Sequence, residues 1–183
     1  LLGQLIPLLD QAPAASSGQR EAVLAALNGV LGDHLAASGN PLAIPMRLYA
    51  NGAPLQISRD ALAAAVPQPG GHLLVLVHGL CRNHLQWTRG GHDHGAALAR
   101  DLGCTPVYLH YNSGRHISEN GREFADLMQA LVREWPHPIE RFSMLGHSMG
   151  GLVARSACHY GALANHTWAA RLDRLVFLGS PHF

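Results

Sequence analysis

The chain has 183 residues, 48% of them hydrophobic, which suits one globular domain with a sizeable apolar core. Its net charge of +1, with no cluster of basic residues, argues against nucleic acid as a partner. The longest uncharged stretch, residues 61–81, is broken by Pro67, Pro69 and the pair Gly70 and Gly71, so no membrane-spanning helix is expected. Three cysteines without C-x-x-C spacing predict reduced thiols and a cytoplasmic protein.

The N-terminal segment, residues 1–19, is expected to lie outside the main domain. Leucine and isoleucine recur there at helical spacing, and a stretch rich in Ala, Ser and Pro follows from residue 11. This pattern favours a packing helix or a cleavage stub over a membrane anchor.

Residues 20–66 are predicted to form a helix, a β-hairpin and a second short helix near residues 59–66. The first helix covers residues 21–37, and its apolar side is formed by Val23, Leu24, Leu27, Val30, Leu31 and Leu35. The hairpin turns at Asn51 and Gly52, a dipeptide that supplies the positive φ angles of a type I′ turn. Its two arms would be the antiparallel first strands of a sheet.

Residues 70–183 alternate strands and helices in the way that is typical of a parallel sheet. Short apolar or β-branched runs predict strands at residues 72–77, 105–111, 141–146 and 174–179. Apolar residues recur every three or four positions from Ile117 to Trp135, which predicts a core-packing helix, and the helix before the last strand is predicted to end at Gly161. We therefore predict an α/β fold, a mostly parallel sheet flanked by helices, over residues 20–183.

The run Gly-His-Ser-Met-Gly-Gly at residues 146–151 lies where a predicted strand gives way to a helix. A G-x-S-x-G pattern in this context is typical of the nucleophile elbow of serine hydrolases, which makes Ser148 the candidate nucleophile. Gly146 and Gly150 leave room for the sharp turn, and His147 and Gly151 support it. The alternative is a Gly-rich tight turn that carries an ordinary serine.

A second constellation follows the strand at residues 72–77, which ends in His78, Gly79 and Leu80. Acyl transfer needs two converging backbone N–H donors at the place where the carbonyl oxygen gains charge. We assign these donors to Leu80 and Met149. His78 is interpreted as a residue that holds this loop and lines the site, and a role as general base is the alternative.

These motifs resemble those of the α/β-hydrolase superfamily and, within it, the lipase and esterase branch that includes GPI inositol-deacylase-like proteins. The resemblance covers residues 70–183 and comprises, in order, His-Gly-Leu at 78–80, Tyr-Asn-Ser-Gly at 111–114, the elbow at 146–151 and Gly-Ser-Pro-His at 179–182. It implies Ser148 as nucleophile, followed by an acid and then a His after later strands. The acid and this His are not found in the chain. Its last strand corresponds to the family's sixth, so the hydrolase fold is expected to lack two strands, which would lie beyond Phe183.

Trp87 and His182 are candidate residues that line the site. Trp87 follows the predicted oxyanion loop, where a family member places part of its acyl pocket, and ordinary packing is the alternative. His182 follows Pro181 in the loop after the sixth strand, and a role as catalytic base is the alternative.

The predicted function is hydrolysis of carboxylic esters, small-molecule or lipid, through an acyl-enzyme on Ser148. A non-catalytic binding module with a hydrolase fold is the alternative from another class, and an acyltransferase or thioesterase would use the same elbow. The chain alone is expected to be inactive and prone to association. Its natural substrate and oligomeric state stay open.

No cofactor and no metal are expected. Thirteen histidines include the group His92, Asp93 and His94, but no H-E-x-x-H motif or Cys-rich partner accompanies it. The glycine-rich runs lack the Gly-Lys-Ser/Thr ending of a phosphate-binding loop.

Overall fold

The computed structural model describes residues 17–182, so the predicted helix near the N-terminus lies outside the described residues. The strands in this range are β1 Arg47–Ala50, β2 Ala53–Pro54, β3 His72–Val77, β4 Thr88–Arg89, β5 His92–Asp93, β6 Cys104–His110, β7 Arg141–His147 and β8 Leu172–Leu178. The α-helices are α1 Ser17–Ala37, α2 Arg59–Ala65, α3 His94–Leu102, α4 Ile117–Glu134, α5 Met149–Leu163 and α6 Thr167–Arg171, and a 3-10 turn covers His84–Trp87.

Six strands form one sheet in the order β2-β1-β6-β3-β7-β8, and β4 and β5 form a separate antiparallel pair. β3 pairs in parallel with both β6 and β7, β8 extends the parallel part, and β1 pairs antiparallel with β6. The hairpin of β1 and β2 turns at Asn51 and Gly52, with φ angles of 51° and 77°. The predicted antiparallel hairpin and mostly parallel sheet are confirmed.

Helices cover both faces of the parallel strands. Leu73, Val75 and Val77 of β3 face one side, where they join the core cluster that contains Phe124 of α4 and Val153 of α5. The intervening residues of β3 face the other side, where the smaller cluster contains Trp87 and receives partly buried residues of α3. Because β3 is buried on both faces, it has a continuous apolar sequence.

Two predictions about the helices are wrong. Val23 and Val30 of α1 are exposed, and the residues that α1 buries are Ala25, Asn28, Gly32 and Leu35. The small and polar residues face inward because α1 packs closely on a loop, where a Cβ on Gly32 would collide with Asn112. The second error concerns α5, which does not end at Gly161.

Helix α5 continues through Gly161 to Leu163. A Cβ at Gly161 would lie 2.8 Å from the Trp168 ring, so this glycine permits close packing instead of ending the helix. Trp168 is fully buried and donates its indole N–H to the Ala125 carbonyl at 2.9 Å. This contact fixes α6 against α4.

No helix between residues 17 and 182 combines the length and the apolar character that crossing a bilayer requires. The predicted cytoplasmic location stays a prediction.

Candidate active site

Ser148 lies in the turn between β7 and α5 and has a strained backbone. Its φ is 52° and its ψ is −127°, a conformation that L-residues other than glycine rarely adopt. The Ser148 N–H donates to the Leu178 carbonyl of β8 at 2.8 Å, and the Ser148 carbonyl accepts from the Gly151 N–H at 3.1 Å. The neighbouring strand and the first turn of α5 therefore hold the turn on both sides.

The glycines of the elbow lie where a side chain would collide with backbone. A Cβ on Gly146 would lie 2.5 Å from the Gly151 Cα, and a Cβ on Gly150 would collide with the Val77 and His78 carbonyl oxygens. The turn can therefore approach the end of β3 only because these positions lack side chains.

Two backbone N–H groups at the elbow are available to a ligand. Within the described part of the chain, neither the Leu80 nor the Met149 amide has a hydrogen-bond acceptor, and both residues line one cavity of about 450 Å³. A Cβ on Gly79 would lie 3.1 Å from the Ser148 Cβ, so the loop lies directly against the serine. Met149 also begins α5, whose N-terminal end favours negative charge.

His78 lies beneath this loop and is completely buried. Its Nδ1–H donates to the Gly79 carbonyl at 2.9 Å, and its Nε2 accepts from the Tyr111 N–H at 3.3 Å. Its ring stacks on the Tyr111 ring, with centroids 4.3 Å apart. The pKa of His78 is lowered to about 3, chiefly by burial; the Gly79 hydrogen bond opposes this shift, and the nearby His110 and His84 contribute to it. The imidazole is therefore neutral at pH 7, and both ring nitrogens are already engaged.

His147 and Trp87 lie on the other side of the elbow. They line a cavity of about 860 Å³, with Leu145 and Leu178 as further apolar residues. The rings of Trp87 and His147 are 6.4 Å apart and perpendicular, and Gln86 Nε2 lies 3.3 Å from His147 Nδ1. The structure thus places Trp87 and His147 at a cavity that adjoins the elbow.

His182 packs its ring edge against Phe177, with centroids 4.3 Å apart, and is exposed. Among residues 17–182, no histidine is hydrogen-bonded to Ser148. The candidate nucleophile and the candidate oxyanion donors are therefore close together in the described residues, without a histidine paired to the serine.

The group His92, Asp93 and His94 has a structural explanation. Asp93 caps α3 by accepting from the Ala96 N–H at 2.9 Å, and it also accepts from the Tyr108 hydroxyl at 2.9 Å. No cluster of three or more His, Cys, Asp or Glu residues within the described range could hold a metal ion.

A polar cluster beside His78 was not predicted from the sequence. His84 and His110 are hydrogen-bonded through their Nδ1 atoms at 2.8 Å, and Tyr49 stacks on His84 at 3.9 Å. The pKa of both histidines is lowered to about 4; burial is the cause for His84 and the largest cause for His110, to which the nearby His84 and Arg47 contribute. The sequence signal was weak: His110 lies near the end of the predicted strand at residues 105–111, and His84 lies in the segment after the predicted strand at residues 72–77.

The comparison with protein families matches residues 68–183 of the 183 to the PGAP1-like alpha/beta domain. The chain belongs to this family. The predicted mostly parallel α/β fold and the predicted membership of the α/β hydrolases are confirmed. No curated protein sequence matches the chain significantly.

Two crystal structures of a Bacillus licheniformis lipase, BlEst2, are similar to the chain. The propeptide form has 22% identity and a TM-score of 0.48, over 63% of this chain and 23% of the lipase chain. The mature form has 20% identity and a TM-score of 0.49, over 75% of this chain and 47% of the lipase chain. The chain thus spans less than half the length of either lipase chain that it matches.

Proposed function

We propose that this chain supplies the nucleophile and the oxyanion donors of a serine hydrolase that cleaves carboxylic esters. One observation carries the proposal: Ser148 is held at a positive φ at the start of α5, beside two amides without protein acceptors in the described residues. Strained turns of this kind are maintained at sites where an exposed side chain reacts.

The chemistry proceeds in two halves. The Ser148 Oγ attacks the ester carbonyl carbon and gives up its proton to a base, while the carbonyl oxygen becomes negative and accepts hydrogen bonds from the Leu80 and Met149 N–H groups. The intermediate then expels the alcohol, which takes the proton back from the base. Water attacks the acyl-enzyme in the same way and releases the acid.

The base and the carboxylate that orients it are assigned to residues outside the described range. His78 cannot take this role in its present position because both of its ring nitrogens are hydrogen-bonded beneath the loop. The expected order along a hydrolase chain is the serine, then an acid, then a histidine.

The substrate class is a small-molecule or lipid ester. The cavity of about 860 Å³ beside His147 and Trp87 is within the usual size of a small-molecule site and offers an apolar wall for an acyl chain. An acyltransferase would form the same acyl-enzyme but pass the acyl group to an acceptor other than water, and a thioesterase would take the acyl group from a thioester, so the donor and the acceptor distinguish these activities.

The test compares ester turnover by the full-length protein and its Ser148→Ala variant, with p-nitrophenyl butyrate as substrate. We expect kcat to fall at least about 10³-fold, because a missing nucleophile removes the acyl-enzyme route. Ser58→Ala is the matched control, since the Ser58 side chain makes no capping hydrogen bond at α2. Undiminished turnover by Ser148→Ala would overturn the proposal.

A binding module without catalysis is the second candidate, and the observation in its favour is that no described histidine pairs with Ser148. Binding of a butyrate ester without any turnover by the full-length protein would establish this second function and exclude the first.

A further inference from the structure

The segment His78–Cys81, called the oxyanion loop below, ends in a residue with a left-handed backbone. Cys81 has a φ of 56°, which is costly for a residue with a side chain and persists only when surrounding contacts impose it. The Cys81 N–H donates to the Ser113 Oγ at 3.0 Å, and the Ser113 side chain lies in a position that is only 3% exposed. The hydroxyl is thus a buried acceptor that fixes the end of the loop.

The start of the oxyanion loop is held by the same segment of chain. The Tyr111 hydroxyl donates to the His78 carbonyl at 2.8 Å, and the Tyr111 N–H donates to His78 Nε2 at 3.3 Å. The Leu80 amide therefore lies between a tether at His78 and a tether at Cys81, both of which lead to residues 111–113.

Residues 111–113 are themselves held by hydrogen bonds to two helices. The Asn112 side chain accepts from the Gly114 N–H at 3.1 Å and donates to the Gly32 carbonyl of α1 at 3.0 Å. The Asn120 side chain of α4 donates to the Asn112 carbonyl at 3.0 Å. Two helices thus hold this segment, so the position of the Ser113 hydroxyl is determined by the fold and not by the loop.

We propose that Ser113 is the positioning residue of the oxyanion loop: its hydroxyl holds Cys81 and thereby directs the Leu80 N–H at the position of the substrate's carbonyl oxygen. The inference rests on the function proposed above. Ser113 acts through the loop backbone, so its removal affects the stabilisation of the transition state more than the binding of the ester.

The test compares Ser113→Ala with Ser143→Ala in the full-length protein. Ser143 is also buried, and its hydroxyl also makes one hydrogen bond, to His72 Nε2 at 2.9 Å. It lies in the half of β7 that is farther along the strand from Ser148. Loss of a complete oxyanion donor lowers kcat by about 10²- to 10³-fold, and a misdirected one is expected to lower it about tenfold. For p-nitrophenyl butyrate, Ser113→Ala should therefore lower kcat about tenfold with an unchanged KM, and Ser143→Ala should leave both unchanged.

A second measurement does not depend on turnover. Hydrogen exchange of the backbone amides of residues 79–81 should be faster in Ser113→Ala than in the wild-type protein and unchanged in Ser143→Ala. Ser113→Cys, which keeps a weak acceptor of similar size, should give intermediate exchange and provides the comparison if Ser113→Ala does not fold.

The outcomes separate the two proposals. Unchanged exchange at residues 79–81, an unchanged kcat, or an equal loss of kcat in Ser143→Ala would overturn the role of Ser113. A wild-type protein without turnover would overturn the proposed hydrolase, and the exchange result would still decide whether Ser113 holds the loop.

Discussion

Strand β3 and the second half of strand β8, residues 175–178, are both apolar in sequence but have very different surroundings. β3 lies between two parallel neighbours, and its residues from Leu73 to Val77 are buried. β8 pairs with β7 alone among the described strands, and Val176, Phe177 and Leu178 are 43%, 37% and 44% exposed. An apolar run thus predicts a strand, but the elements that pack on the strand decide how much of it is buried.

The candidate site lies where these two regions meet. The oxyanion loop follows the buried strand β3, whereas the Ser148 N–H donates to Leu178 of the exposed strand β8. Changes on the β3 side should therefore affect stability strongly, and equivalent changes on the β8 side should affect it weakly.

The largest effect on stability is expected for Gly150→Ala, on the β3 side. The new methyl group would collide with the carbonyl oxygens of Val77 and His78, so unfolding free energy should fall by about 3 kcal/mol. Gly18→Ala in α1 is the control, because no atom lies within 4 Å of the added Cβ and alanine favours helix. Urea unfolding measures both, and an equal effect of the two changes would contradict this view of the elbow.

A matched pair of valines compares the strands directly. Val75→Ala removes buried methyl groups from β3 and should cost about 2 kcal/mol, whereas Val176→Ala on β8 should cost less than about 1 kcal/mol. The same urea titration checks the difference. Equal costs would show that β8 is covered in solution.

The pH dependence of stability is expected to come from three histidines: His78 directly after β3, His84 in the 3-10 turn and His110 at the end of β6. The folded-state pKa values of His78, His84 and His110 are lowered to between about 3 and about 4, below the ordinary value of 6.5. Below about pH 6.5 the unfolded chain therefore binds more protons than the folded chain, so this contribution to stability is complete above about pH 6.5 and is lost as pH falls to about 4 for His84 and His110 and to about 3 for His78. Each histidine contributes at most about 1.4 kcal/mol per pH unit, and the partly exposed His84 contributes less.

His110→Asn keeps a polar partner for His84 and removes one of these titrating groups. Unfolding free energy measured by urea titration at several pH values should fall less steeply toward pH 4 in this variant. An identical slope in the variant and the wild-type protein would contradict the assignment.

The smallest effect on stability, and a clear effect on association, is expected for Val176→Lys on β8. Exposed apolar edge strands pair with other chains, and a lysine opposes such pairing. The wild-type chain should self-associate in light scattering, and the variant should be monomeric. Val23→Lys on the exposed side of α1 is the control and should leave association unchanged. A monomeric wild-type chain would contradict the prediction.

Much of the fold could be predicted from local pattern. The strand at residues 72–77 has the predicted bounds, because a strand buried on both faces has a continuous apolar run, here residues 73–77. The Asn51-Gly52 turn and the helix from Ile117 were predicted for equally local reasons, namely permitted φ angles and helical spacing.

Contacts between distant residues could not be predicted in this way. The inward face of α1 contains Asn28 and Gly32 because it packs on a loop far along the chain, and spacing alone assigned that face to Val23 and Val30. The motif at residues 111–114 was recognised by resemblance, but the bond from Cys81 to Ser113 joins residues 32 positions apart and has no sequence signature.

The most direct measurement is the labelling of the full-length protein with a fluorophosphonate probe, followed by mass mapping of its peptides. The proposed mechanism predicts one adduct, on Ser148, which is lost in Ser148→Ala and retained in Ser58→Ala. An adduct on another residue, or labelling that persists in Ser148→Ala, would contradict the assignment of Ser148 as the nucleophile.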